Sequence, residues 1–230
     1  MAQTKILGSS NQGSIAPAEW AVDPMFLAAR VALRPLDYSG VGRVLGFYRA
    51  VGQTTAAAPA GNSVLANMRY TDPSSFYVLL RLRVGVSVIT AVTAQSTPPI
   101  IVSHARSYSV SETTNTTALV LTGNNQKMRT TPMGTSLVTQ MGVSSAAAGI
   151  SGGTKTVDAN AFGAVVLSPA LVAIGSGVPM TDLYKCDNHG GHPPVYAPNE
   201  GYVIAWSATA LATGTVSVVV EHEWAEVIVF

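Results

Sequence analysis

The chain has 230 residues, of which 11% are charged and 47% hydrophobic, and its formal net charge is +1. Because an ordinary globular domain has about 25% charged residues, much of this surface must consist of small polar and apolar side chains. Such an exterior favours burial in an assembly over a neutral, Ala/Thr-rich monomer. The near-zero net charge excludes a global field that would attract nucleic acid.

The N-terminal region differs in composition from the rest. Residues 1–24 are rich in Gly and Pro and predict an extended arm, with Trp20 as its one large anchor. That anchor either docks on a neighbouring subunit or caps the core of its own chain. The sequence MFLAARVALR over 25–34 predicts a short helix that Pro35 ends. We expect residues 25–230 to form a single domain.

Targeting signals and membrane spans are not predicted. The opening sequence MAQTKILGSSNQGS lacks the apolar segment of a secretory signal. The most apolar stretch, 78–94, is interrupted by Arg81 and Arg83, which argues against a membrane span. Cys186 is the only cysteine, so an internal disulfide framework is excluded. We expect the protein to be made and assembled in a cytoplasm.

Two central segments alternate in the manner of β-strands. Over 76–92, one face collects the side chains of Leu80, Leu82, Val84, Val86 and Val88. The segment 100–112 alternates in the same way. If these two strands pair, Arg81, Arg83, His104 and Arg106 form a small basic face. That face either contacts an acidic partner surface or nucleic acid, or it is solvated. The absence of an aromatic stacking platform favours a solvated face.

The C-terminal region predicts a closing β-hairpin of residues 202–210 and 215–230, joined around 212–214. The even-numbered face of its last strand is apolar and is expected to face the core; its members are Val216, Val218, Val220, Trp224, Ile228 and Phe230. The acids on this strand are expected to prevent edge pairing. Glu226 falls on the apolar face, so we predict a β-bulge or a specific partner near it.

The order of short strands and loops predicts the fold class. Loops rich in Gly, Pro and Asn separate the strands, for example over 54–63 and at the Gly-Asn-Asn turn of 123–125. Crossover helices, which a parallel sheet would need, are missing. The sequence therefore predicts an all-β protein, a jelly roll or a related β-sandwich with an extended N-terminal arm and one short helix.

One loop carries residues that bind metals. Cys186, His189 and His192 have C-x2-H-x2-H spacing, and Asp182 or Asp187 could supply a fourth ligand. Thiolate and imidazole ligands suit zinc, but a structural zinc site normally has four ligands in paired turns. A polar surface loop is the favoured interpretation, and we assign no metal or cofactor.

Motifs for catalysis are not found in the sequence. G-x-S-x-G and the Gly-rich phosphate-binding loops do not occur, and the acids are few and scattered. We therefore expect a non-enzymatic protein and assign no catalytic residue.

Three segments resemble a largely unannotated family of tailed-bacteriophage virion structural proteins: TALVLTGNNQKMRTTPMGTSLV at 117–138, GGTKTVDANAFGAVV at 152–166, and YAPNEGYVIAWSATALATGTVSVVVEHEWAEV at 196–227. The resemblance implies location in a virion. Within it we expect a capsid decoration, or cement, protein that self-associates, with a trimer as one candidate stoichiometry. It would bind the major capsid protein or neighbouring virion proteins, and neither nucleic acid nor membrane.

Alternative roles are a collar, head–tail connector or tail-associated protein, and, with less support, a receptor- or glycan-binding module. We expect contacts to be made by Trp20, by the loop over 187–196 and by Phe230.

Overall fold

The computed structural model describes residues 44–92, 99–128, 133–167, 173–186 and 192–228. Within these ranges the structure is all-β, as predicted, and its strands belong to one compact unit of the chain. The strands are β1 (Val44–Gln53), β2 (Val64–Tyr70), β3 (Phe76–Thr90), β4 (Pro99–Val110), β5 (Thr116–Ala118), β6 (Val138–Ser144), β7 (Thr154–Val157), β8 (Gly163–Val166), β9 (Gly177–Lys185), β10 (Val195–Tyr196), β11 (Glu200–Trp206) and β12 (Thr215–Val227). The described part of the chain contains no helix that could cross a membrane.

The predicted arm over 1–24 and the predicted helix over 25–34 lie outside the described residues. Whether residues 25–230 form a single domain stays a prediction.

Two antiparallel sheets make up the sandwich. Sheet A is 5-stranded, with the order β1-β12-β3 followed by β9 and β10, which both pair with β3. Sheet B is 7-stranded, with the order β5-β6-β2-β11-β4 followed by β7 and β8, which both pair with β4. Strands β1 to β4 alternate between the sheets. Strands β9 and β10 both lie in sheet A, β11 lies in sheet B, and β12 returns to sheet A. The crossings between the sheets place the first described strand, β1, beside the last, β12, in a β-sandwich.

The core lies between the two sheets and follows the period-2 pattern of β3. Leu82, Val84, Val86 and Val88 are almost fully buried, as predicted. Each such side chain contributes about 1.5–3 kcal/mol of stability relative to an exposed position. Leu80 was assigned to the same face, but it is only half-buried because the pairing with β12 shifts register between Leu79 and Arg81.

Strand β12 occupies the centre of sheet A, between β1 and β3. Its even-numbered side chains from Val216 to Glu226 are buried, which confirms the predicted core face over this range. Ile228, predicted on the same face, is instead 44% exposed, and Phe230 lies outside the described residues. The expected irregularity near Glu226 is also present, because the pairing with β3 shifts between Glu223 and Trp224 and the pairing with β1 shifts at Val44/Gly46, opposite Glu226 and Val227.

Two predictions about the C-terminal strands are wrong. Strands β11 and β12 are consecutive in the sequence but lie in different sheets, so they do not form a hairpin. Strands that are consecutive in the sequence usually lie next to each other in one sheet, whereas here the chain crosses from sheet B to sheet A between β11 and β12. Since β12 pairs on both sides, its acids do not protect an edge.

Other features protect the outer strands of sheet A from pairing with a further strand. The Arg49 N–H donates to the Gln126 carbonyl at 2.8 Å, and the Met128 N–H donates to the Phe47 carbonyl at 3.0 Å, so the segment after the turn at 123–125 covers the edge of β1. Strand β9 contains Pro179, and its pairing with β3 shifts register twice. Proline and bulges both discourage pairing with a further strand.

The turn before β11 combines a left-handed residue with a close packing contact. Asn199 has the left-handed backbone conformation, with φ of 62°. Gly201 allows close packing, because a Cβ there would lie 1.9 Å from the carbonyl oxygen of Met68. The turn therefore brings β11 close against β2.

Candidate interaction surfaces

A row of alternating charges crosses the outer face of sheet A. Strand register places Glu221 beside Arg83 and places Glu223 between Arg49 and Arg81. Arg83 in turn lies opposite Asp182 of β9. Since the even-numbered side chains of β12 fill the core, these side chains project outward. We call the six residues Arg49, Arg81, Arg83, Asp182, Glu221 and Glu223 the charge row.

The charges of the charge row are paired with one another. Arg49 Nη2 lies 2.5 Å from Glu221 Oε2, and Arg81 Nε lies 2.6 Å from Asp182 Oδ1. Longer pairs of 3.6 Å join Arg49 to Glu223 and Arg83 to Glu221. The three guanidinium groups thus face three carboxylates, and the row presents little net charge to a partner.

The pKa values follow from these contacts. The hydrogen bond from Arg81 holds the pKa of Asp182 below its usual value, although burial opposes the effect. The hydrogen bond to Glu221 raises the pKa of Arg49. The side chain of Glu221 is only 5% exposed, against 37% for Asp182, so the row has a buried centre and a solvated margin.

Part of the outer face of sheet B is covered by the chain itself. Residues 111–118 and 144–157, which we call the lobe, are tied together by backbone hydrogen bonds such as that from the Ser145 N–H to the Asn115 carbonyl at 2.9 Å. The Ile150 N–H donates to the carbonyl of Val64 in β2 at 2.9 Å. Beside the lobe, a small apolar cluster separate from the main core contains Ala105, Tyr108 and Val203, with Val64 packed against it.

A polar cluster is enclosed where the lobe meets sheet B. Glu112 accepts hydrogen bonds from the Gly153 N–H at 2.5 Å and the Tyr108 hydroxyl at 3.2 Å, and Lys155 Nζ contacts the same carboxylate. Asn67 Nδ2 donates to the Tyr108 hydroxyl at 2.8 Å. These residues come from three separate parts of the sequence, so no local motif marks them.

Aromatic and titratable side chains fill one end of the main core. Tyr48, Trp224, Tyr77 and Tyr202 form successive ring contacts, with centroid separations of 5.4, 5.7 and 6.2 Å. The Tyr202 hydroxyl lies 2.7 Å from His222 Nδ1, whereas His222 Nε2 has no hydrogen-bond partner. Burial lowers the pKa of His222 to about 3, so this side chain is neutral in the folded protein near pH 7.

Glu226, like His222, is a buried ionisable residue in this part of the core. The Ser136 hydroxyl donates to Glu226 Oε1 at 2.6 Å, and the Leu137 N–H donates to both carboxylate oxygens at 3.0 and 3.1 Å. Burial raises the pKa of Glu226, although these hydrogen bonds oppose the shift. The partner predicted for Glu226 therefore lies within its own chain.

The predicted basic face does not form. Arg81 and Arg83 lie on β3 in sheet A, whereas His104 and Arg106 lie on β4 in sheet B, so the two pairs are on different sheets. The side chain of His104 stacks on Phe162 at 4.3 Å, and its Nδ1 lies 3.0 Å from the Tyr196 hydroxyl. Alternation alone could not distinguish two strands that pair from two strands that face each other.

The other predicted site residues are only partly described. Cys186 directly follows β9, whereas His189 and Asp187 lie outside the described residues, as do Trp20 and Phe230. Within the loop over 187–196, the described part includes β10. The described ranges contain no group of three or more His, Cys, Asp and Glu residues placed to hold a metal ion.

Comparison of the chain with protein-family models, with curated proteins and with solved structures finds no match.

Proposed function

We propose that this protein is a non-enzymatic structural component of a tailed-bacteriophage particle, a capsid decoration protein that self-associates and packs against the major capsid protein through the outer face of sheet A. The observation that carries the proposal is the charge row, a partly solvated face whose charges are already paired within the chain.

Internal pairing matters because burying an unpaired charge is costly, whereas a compensated row can be covered by another protein at less cost. Val51, which pairs opposite Glu221, is 56% exposed, and Ile89, further along β3, is 43% exposed. A face of this kind, apolar at some points and neutral overall, is typical of a surface that is buried in an assembly.

The outer faces of the two sheets differ in how much surface they expose to a partner. The part of sheet B beside the lobe is covered, so Asn67, Ser103 and Val203 are buried within the chain, whereas Arg106 at the margin of this sheet is 54% exposed. The side chains of Arg49, Arg81 and Arg83 on sheet A are 42%, 30% and 27% exposed. The protected edges of β1 and β9 disfavour growth by strand addition, so packing through the sheet A face is the arrangement that we propose.

The test uses particles that lack this protein. Purified protein added to them should bind with a fixed stoichiometry and raise the temperature at which the heads release DNA. Electron microscopy of the rebound particles distinguishes the alternatives, because density spread over the head supports decoration and density confined to the vertex or tail supports a collar, connector or tail component. Failure to bind anywhere on the particle would contradict a structural role in the virion.

A further inference from the structure

The polar cluster beneath the lobe contains the groups needed to form an amide bond between two side chains. Lys155 supplies an amine on β7, Asn67 supplies a carboxamide on β2, and Glu112 supplies a carboxylate that contacts the amine. The side chains of Lys155 and Glu112 are 13% and 0% exposed, and Asn67 is fully buried. Water is therefore largely excluded from all three groups.

The amine and the carboxamide are connected through a short chain of contacts. Lys155 Nζ contacts Glu112 Oε1. The same carboxylate oxygen accepts a hydrogen bond of 3.2 Å from the Tyr108 hydroxyl, which in turn accepts a hydrogen bond of 2.8 Å from Asn67 Nδ2. The lysine side chain has four rotatable carbon–carbon bonds in its aliphatic stem, so its amine has the freedom to move from the carboxylate towards the neighbouring carboxamide.

The carbonyl side of Asn67 is unusual. Asn67 Oδ1 is buried without a hydrogen-bond partner, and so is the hydroxyl Oγ1 of Thr116. Both atoms border the space left by Gly142, because a Cβ on that glycine would lie 3.2 Å from Asn67 Oδ1 and 2.5 Å from Thr116 Oγ1. The two atoms do not hydrogen-bond to each other, but they border the same space. The Thr116 hydroxyl is therefore a candidate donor to the oxygen on which negative charge would develop during attack at Asn67 Cγ.

We propose that Lys155 and Asn67 join in a spontaneous intramolecular isopeptide bond. Glu112 takes a proton from the Lys155 ammonium, and the neutral amine attacks Asn67 Cγ. The new Nζ–Cγ bond forms, Glu112 returns the first proton to Nδ2, and the Cγ–Nδ2 bond breaks as ammonia leaves. The second proton, which Nζ loses when it becomes an amide nitrogen, passes to Glu112 and departs with the ammonia as ammonium. No group is oxidised or reduced, and no co-reactant is needed.

The bond would tie β7 and the lobe covalently to β2 across the outer face of sheet B. Strand β7 has only four residues and pairs with β4 alone, so hydrogen bonds by themselves hold it weakly. The crosslink would keep the lobe in place when the protein is heated or stretched.

Intact mass spectrometry of the purified, denatured protein tests the proposal. The folded wild-type chain is expected to be about 17 Da lighter than its sequence mass, because one ammonia is lost. Digestion should release a branched peptide that joins the segments around Asn67 and Lys155. The variant Lys155→Arg preserves the charge beside Glu112 and should have its full sequence mass. The variant Glu112→Gln should also have its full sequence mass, provided that circular dichroism shows it to be folded.

The wild-type chain alone decides the outcome, even if both variants fail to fold. A full sequence mass in folded wild-type protein after prolonged incubation at pH 7 would show that Glu112 and Lys155 form an ion pair only, and would overturn the proposal.

Discussion

The indole Nε1 of Trp224 donates a hydrogen bond of 3.1 Å to Oε1 of Glu226, two residues further along β12. Both side chains are fully buried on the core face of a central strand. The carboxylate also accepts hydrogen bonds from the Ser136 hydroxyl and the Leu137 N–H. A single acid thus fixes the position of the segment before β6 relative to the centre of sheet A.

Replacing this acid should destabilise the protein strongly. In Glu226→Ala, the indole N–H, the Ser136 hydroxyl and the Leu137 N–H lose their acceptor inside the core. We expect the free energy of unfolding to fall by about 3 kcal/mol, because each buried donor left unpaired is costly. Glu223→Ala on the same strand is the matched control. Its carboxylate is partly exposed and lies 3.6 Å from Arg49, so its loss should cost about 1 kcal/mol or less. Equal losses in urea unfolding would contradict this role of Glu226.

The neutral histidine in the core should make the protein sensitive to acid. The pKa of His222 is lowered to about 3 in the folded protein from its ordinary value of 6.5. Its contribution to stability is therefore complete above pH 6.5 and is lost as the pH falls towards 3, because the unfolded chain binds the proton first. The expected slope between those limits is about 1.4 kcal/mol per pH unit.

Urea unfolding of wild type and His222→Gln at several pH values measures this contribution. The difference in unfolding free energy between the two proteins should shrink, or shift in favour of the variant, as the pH is lowered from 6.5. His104→Gln is the control, because His104 is only half-buried and should change the slope less. A pH profile for His222→Gln that runs parallel to wild type would show that His222 does not titrate on unfolding.

The close approach of β11 and β2 should not tolerate a methyl group at Gly201. In Gly201→Ala, the new Cβ would lie 1.9 Å from the Met68 carbonyl oxygen, so the two strands would have to separate. We expect a loss of about 3 kcal/mol in unfolding free energy, measured by thermal or urea denaturation. Gly134→Ala provides the comparison, since a Cβ there meets no atom within 4 Å, and its effect should stay within about 0.5 kcal/mol. Similar stability of the two variants would refute the close-contact account.

The charge row offers a matched test of the proposed assembly face. The carboxylate of Asp182 in sheet A pairs with Arg81 at 2.6 Å and with Arg83 at 3.7 Å. The carboxylate of Asp158, beside sheet B, pairs with Arg106 at 3.1 Å. Both aspartates are partly exposed. Asp182→Lys should leave the fold intact but reduce binding to particles at least tenfold, because it creates an uncompensated positive patch on the proposed interface. The variant Asp158→Lys should bind to particles as the wild type does. Weakened binding by Asp158→Lys together with normal binding by Asp182→Lys would place the interface on sheet B.

The sequence predicted the strand content and the core face of β12 because alternation is a local property that the sandwich preserves. His222 was missed, although it occupies an even-numbered position on that face, because histidine is usually counted as polar. The pairing of strands was harder to predict. The arrangement of β11 and β12, and the separation of Arg81 from His104, depend on which sheet each strand enters, and nearby residues do not encode that choice.

The polar cluster at Glu112 illustrates the same limit for a site. Its members Asn67, Glu112 and Lys155 are far apart in sequence and belong to no spacing pattern. They meet only because the lobe folds back on sheet B and because the left-handed conformation of Ser107, with φ of 49°, shifts the alternation of β4 so that Tyr108 joins Ala105 in the same cluster. A signal was present in the sequence only as an isolated acid and an isolated lysine.

The copy number of this protein in purified particles tests the central claim most directly. Quantitative mass spectrometry with isotope-labelled peptides would measure it against the major capsid protein in the same sample. The decoration role predicts a ratio near one to one or a simple large fraction of it. A handful of copies per particle would contradict decoration and favour the collar or tail, and absence from the particle would contradict any structural role in the virion.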